Sequence, residues 1–180
     1  MTISAFALAD QRPRLAALLG GASNEWALLE HELASMLELL VSIPMLTDEA
    51  RSPDPLSNEL FDSFVLIDHR LSLLKAAFRA RVQDDDLERE LHEHIFRRIR
   101  QASSQRARLV HATWAVSDDA GYEDKIIKTN PHRMDFTKDE PFGEPELIEA
   151  IGFINLVHKE AGHFFVRARS FLSANRGARF

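Results

Sequence analysis

Arg106 and His111 stand five positions apart in the run Arg106-Ala107-Arg108-Leu109-Val110-His111-Ala112-Thr113-Trp114. A guanidinium can hold a phosphate through two parallel hydrogen bonds, and an imidazole exchanges a proton near neutral pH. No metal-ligand spacing surrounds the pair, and the chain has no cysteine. Together they suggest metal-free phosphodiester chemistry on RNA. RNA carries its own nucleophile, the 2′-hydroxyl, so acid–base help and charge stabilisation suffice. Arg108, Arg100 and Trp114 are the candidate substrate contacts beside them. The plainer reading makes His111 a packed or half-exposed helix histidine, and Arg106 and Arg108 the solvated basic last turn of that helix. Trp114 belongs to a core or an interface on either reading, because an indole buries a large area.

Other constellations are weaker. Glu160-Ala161-Gly162-His163 has the Glu-x-x-His spacing of di-iron bundles, with Glu30-His31, Asp68-His69, His92 and His94 on other helices. A di-iron site takes two such motifs and a glutamate from each remaining helix; one copy is present, and Gly162 weakens the helix around it. His92 and His94, two residues apart, point to different faces. A metal-binding bundle is therefore a third reading, and no metal or other cofactor is expected. The segment before the last helix carries Lys125, Lys128, Arg133 and Lys138, with Tyr122, His132 and Phe136 among them. Such interleaving can contact single-stranded RNA. Asp118, Asp119, Glu123, Asp124, Asp135, Asp139 and Glu140 offset its positive charge, which favours a solvated loop. Gly-rich phosphate loops, nucleophile elbows and the His-Glu-x-x-His zinc motif are absent from the sequence.

Composition sets the frame for these residues. The chain has 180 residues, 45% hydrophobic and 28% charged, enough for one well-cored soluble domain spanning 1–180. Without cysteine there is neither a disulfide framework nor a thiolate zinc site, which fits a reducing cytoplasm. The first twenty residues lack a basic region ahead of their apolar ones, and Asp10, Arg12 and Arg14 interrupt them, so neither a signal peptide nor a membrane association is expected. A net charge of −6 argues against nonspecific coating of nucleic acid, and DNA is not an expected partner. Acids from Asp84 to Glu93 precede Arg97, Arg98, Arg100, Arg106 and Arg108, the order that a helix macrodipole favours.

The elements that must position the pair are helical. Residues 23–43 repeat Trp26, Leu29, Leu33, Met36, Leu37 and Leu40 at three- and four-residue steps, with Ser23 or Asn24 as cap and Pro44 beyond the end. Two prolines mark the loop 47–55. A second helix is expected over 57–82 on the stripe Leu60, Phe64, Ile67, Leu71, Leu74 and Phe78. A third begins at Asp84–Asp86 and runs through Leu87, Leu91, Ile95, Ile99 and Ala102. Ser103-Ser104 can interrupt it, and helical spacing resumes from Leu109 to Trp114. On an ideal helix Arg106 and His111 stand about 140° apart, so they converge only at a bend or across two copies. Residues 116–143 form an insertion, with a short β-hairpin or ordered loop around Asn130-Pro131. The last helix covers 144–174, the tail 175–180 frays, and residues 1–22 form an arm or a minor helix. The fold class is all-α: an antiparallel four-helix bundle with a short insertion before its last helix, short links making the first three helices antiparallel neighbours.

With that order placed, the Arg106–His111 run resembles the hallmark of the HEPN superfamily of small helical-bundle proteins. That hallmark is an arginine, four to six residues and a histidine, often written Arg-Asn-x-x-x-His-Gly-x-Trp late in the third helical region. Arg106, His111 and Trp114 match in register; Ala107 stands at the polar position and Ala112 at the glycine. The resemblance spans roughly residues 23–175. It implies a homodimer whose two motifs face each other, and a metal-independent endoribonuclease in which Arg106 polarises the scissile phosphate and His111 moves the proton. The products would be a 2′,3′-cyclic phosphate and a 5′-hydroxyl. It also implies a toxin or phage-defence setting, with an antitoxin or other protein as partner. Ala107 is the departure that favours the alternative, a non-catalytic dimeric module that binds a protein, RNA or nucleotide.

Overall fold

The computed structural model describes residues 8, 10–41, 55–110, 113–115, 125–129 and 140–175. In chain order these form α1 (Pro13–Val41), α2 (Pro55–Ser63), α3 (Ile67–Arg81), α4 (Asp85–Glu90), a π-helical turn (Leu91–Ile95) and α5 (Phe96–Val110). Strands β1 (Thr113–Ala115), β2 (Ile126–Thr129) and β3 (Glu140–Phe142) follow, then α6 (Glu144–Asn175). The protein is thus mostly helical, with a small antiparallel sheet before its last helix. It divides into two compact units: Met1–Trp26 with Ala102–Leu156, and Ala27–Gln101 with Val157–Phe180.

In the first unit, α1 begins at Pro13, ten residues before the expected Ser23, so residues 13–22 belong to it; Leu8, Asp10 and Gln11 are helical too, and the rest of the expected arm or minor helix lies outside the described residues. Proline suits the first helical position, where its missing N–H would be unpaired anyway. The helix carries Gly20 and Gly21 at about 1 kcal/mol each relative to alanine, offset by the burial of Leu15, Ala22 and Trp26. At Gly21 a β-carbon would meet Ile151 Cδ1 at 3.8 Å, and Asn155 donates to Glu25 at 2.7 Å. Both numbers rise together, so α1 and α6 run in parallel here. The start of α6 has half of a capping box: the Gly143 N–H donates to Glu146 Oε2 at 2.9 Å. Glu144 and Glu146 in its first turn suit the helix dipole.

The sheet order is β1-β2-β3, all antiparallel. Ile126 pairs with Phe142 and Lys128 with Glu140, so the partner of β2 lies beyond the 133–137 arm of the hairpin expected around Asn130-Pro131, and that arm lies outside the described residues. An unexpected β1 pairs Trp114 with Lys128 and Ala115 with Ile127. The helix therefore stops before Thr113, short of the expected Trp114. The β-branched and aromatic pair Thr113-Trp114 favours a strand once β2 offers a partner. Tyr122, His132, Arg133, Phe136 and Lys138 lie outside the described residues, as does the tail 176–180.

In the second unit the three-residue link 82–84 makes α3 and α4–α5 antiparallel, as expected. Asp84 caps α4, its Oδ1 accepting from the Leu87 N–H at 2.8 Å. Ion pairs set the directions: Asp68 with Arg100 and Glu88 with Arg79 between α3 and α4–α5, and Glu90 with Arg167 and Glu160 with Arg98 between α4–α5 and α6. The run of acids and then bases along this stretch thus pairs with its neighbours as well as with the helix dipole. The antiparallel order fails at α1 and α3. Glu30 pairs with Arg70, and the Leu40 carbonyl accepts from Arg81 at 2.9 Å, so those two helices run the same way. The link after α1 is long, not short. Residues 42–54 alone can span about 40 Å, enough to return past a helix stretch of about 20 Å.

Two local expectations change. The helix expected over 57–82 breaks at Phe64–Leu66, and Phe61, not Leu60, is buried there. Leu66 takes the N-cap of α3 with extended φ −88°, ψ 131° and no side-chain cap, forgoing about 1 kcal/mol that a serine or aspartate would supply. Arg70 holds the break, donating from Nε to the Phe64 carbonyl at 2.7 Å. By contrast, α5 runs unbroken through Ser103-Ser104. The irregularity lies upstream, where the Phe96 N–H reaches back five residues to the Leu91 carbonyl and lets both Ile95 and Phe96 enter the core.

Candidate functional site

The candidate chemistry gathers at the C-terminal end of α5 in the first unit. Arg106 lies one turn before the end of this helix and is half-buried. Its guanidinium carbon stands 6.0 Å from the ring centroid of Trp26, an indole only 4% exposed. A buried indole face attracts the cation and limits where the head group can sit, a contact of about 0.5–1 kcal/mol. Arg108 is exposed. Two helical positions turn it about 200° from Arg106, so the two arginines do not share a face. Ala107 between them is exposed as well.

Trp114 closes the same corner from the strand side. Its indole N–H donates to the Leu109 carbonyl at 2.9 Å. That carbonyl is one of the last four of α5, which have no partner four residues onward. The ring meets Phe142 edge to face, with centroids 5.3 Å apart and planes at 88°. Trp114 therefore ties the end of the helix to the sheet. Arg106 and Trp114 both belong to this corner; His111, between α5 and β1, lies outside the described residues. Arg100 belongs to the second unit, where its Nε lies 2.6 Å from Asp68 Oδ1.

The di-iron spacing is occupied by an ion pair. Arg98 grips Glu160 with a fork, Nε to Oε2 at 3.0 Å and a terminal nitrogen to Oε1 at 3.2 Å. His163 is exposed. Among the described residues no three of histidine, aspartate and glutamate gather as metal ligands, and His92 and His94 are both exposed.

Sequence reasoning placed Trp26 in a hydrophobic stripe and missed it as the seat of Arg106. Spacing along one helix carries no information about a cation on another. The same holds for Arg70, whose hold on the Phe64 carbonyl has no local signal.

These features define a mostly helical protein with an arginine seated at the junction of a helix and a small sheet. Among the described residues, no helix is long and apolar enough to cross a membrane. No protein-family model, curated protein or solved structure matches the chain.

Proposed function

We propose that this chain is a HEPN-like helical-bundle protein that acts on RNA as a metal-independent endoribonuclease. Arg106 would bind and polarise the scissile phosphate, and His111 would move the proton. The 2′-oxygen bonds to phosphorus as its proton leaves; the bond to the 5′-oxygen breaks, and that oxygen takes up a proton. A cyclic phosphate and a 5′-hydroxyl result. The observation that carries this reading is that the chain is anchored on both sides of His111, by Arg106 against Trp26 and by Trp114 on the Leu109 carbonyl. Anchors of this kind limit the looseness that costs most in a catalytic site.

A homodimer with paired motifs completes the reading. A cytoplasmic toxin or phage-defence role, with an antitoxin or other protein partner, goes with it. Incubation of labelled RNA in EDTA with wild type and His111→Ala tests the proposal: only the wild type should cleave. One observation favours the non-catalytic alternative. Ala107 is exposed and offers no polar group beside Arg106, so RNA bound without cleavage by folded wild type would select that module instead.

A further inference from the structure

Between α2 and α3 the chain turns through Phe64-Val65-Leu66, and the turn points its apolar side chains outward. Val65 is 89% exposed, Leu66 59% and Leu60 39%. Scattered exposed apolar residues are ordinary, but three within seven consecutive positions form a patch that calls for a reason. The backbone beneath them is firmly held. Besides its bond to the Phe64 carbonyl, Arg70 pairs with Glu30 and stands 4.7 Å from the Phe61 ring centroid. The His69 and Arg70 N–H groups both donate to the Leu66 carbonyl, at 3.0 and 3.3 Å.

The turn therefore breaks two local rules at once. It gives a capping position to leucine and exposes two large apolar side chains, while the half-buried Arg70–Glu30 ion pair fixes it in that form. Rule-breaking without a packing gain marks a functional site, and a rigid protrusion binds without first having to be ordered. Among the described residues beside it, Glu59 and Asp62 are exposed acids, Asp62 with 78% of its side chain in solvent, while Asp68 is paired with Arg100. Arg70, 4.0 Å from Asp62, is turned inward with its side chain only 13% exposed.

We propose that this turn is a docking knuckle for a protein partner that offers an apolar face flanked by lysine or arginine. The acidic rim sets the sign of the partner. A second copy of this chain, at net charge −6, or an anionic membrane would meet like charge. The knuckle lies in the second unit, and the inference stands independently of the ribonuclease reading.

The test uses the full chain and a fluorescein-labelled amphipathic helical peptide of leucine and lysine, followed by anisotropy at low and high salt. Wild type should bind, and Val65→Ser/Leu66→Ser should weaken binding at least about tenfold, the scale of a lost apolar anchor. Glu59→Gln/Asp62→Asn should weaken it several-fold at low salt, with the difference shrinking at high salt. Leu156→Ser, a control at another exposed leucine, should leave it unchanged. The thermal midpoint of the serine variant should not fall, which separates lost docking from lost folding. Absent binding, or equal binding by the serine variant, overturns the proposal. So does self-association in sedimentation, or capture by phosphatidylglycerol vesicles, that disappears in that same variant.

Discussion

Replacing Trp114 by phenylalanine isolates the contact that ties α5 to the sheet. Phenylalanine keeps a ring to meet Phe142, now 5.3 Å away and edge to face, but loses the N–H that reaches the Leu109 carbonyl at 2.9 Å. One such bond contributes about 1 kcal/mol net, and its loss leaves a helix-end carbonyl unserved. The aromatic pair adds a further share of about 0.5–1.5 kcal/mol that phenylalanine retains and leucine does not. Trp114→Phe should therefore cost about 1 kcal/mol, and Trp114→Leu about 2 kcal/mol. With a urea slope of about 2 kcal/mol/M, the midpoints should fall by roughly 0.5 M and 1 M, read by circular dichroism. Amide exchange over residues 110–114 should quicken in both variants. At 25 °C both remain folded, so any RNA cleavage they lose reports geometry around His111. Equal midpoints for wild type and Trp114→Phe, or equal losses in the two variants, would refute the assignment of the indole N–H as a helix-end donor.

Further outcomes follow from the second unit. Asp84→Ala removes the side-chain acceptor at the start of α4 and should destabilise the protein by about 1 kcal/mol in chemical denaturation, with Asp84→Ser restoring most of the loss. Glu160→Gln leaves Arg98 with half of its fork; the side chains of this pair are 21% and 28% exposed, and solvent screening holds the expected cost to about 1 kcal/mol. Calorimetric titration with Zn²⁺ or Mn²⁺ should show no one-to-one site dependent on Glu160 and His163. Stoichiometric binding abolished by Glu160→Gln and by His163→Ala would restore the metal reading.

The long helices were legible because burial repeats at helical spacing. Leu29, Leu33, Met36 and Leu40 on α1, and Leu147, Ile154, Val157 and Phe164 on α6, are all buried. The acidic start of α4 was equally plain, since Asp84 does what an N-cap aspartate does. Periodicity could not see the break at Phe64–Leu66, because Phe64, Ile67 and Leu71 keep three- and four-residue steps straight through it. Nor could it separate a helix that stops before Thr113 from one that reaches Trp114, since Val110 and Trp114 are themselves four apart. That choice is made by β2, through pairing with residues distant in sequence. The parallel course of α1 and α3 depends on Glu30–Arg70 and on the Leu40 carbonyl with Arg81, contacts with no local signature. Arg106 was singled out by residue type alone, while its place against Trp26 required the fold.

The central claim is that Arg106 and His111 together cleave RNA without a metal. Labelled total RNA and transfer RNA, incubated in EDTA with purified wild type, Arg106→Gln and His111→Ala, test it most directly when the product ends are analysed. The account predicts cleavage by wild type alone, leaving 2′,3′-cyclic phosphate and 5′-hydroxyl ends. Intact RNA with folded wild type, or cleavage that persists in His111→Ala, would contradict it.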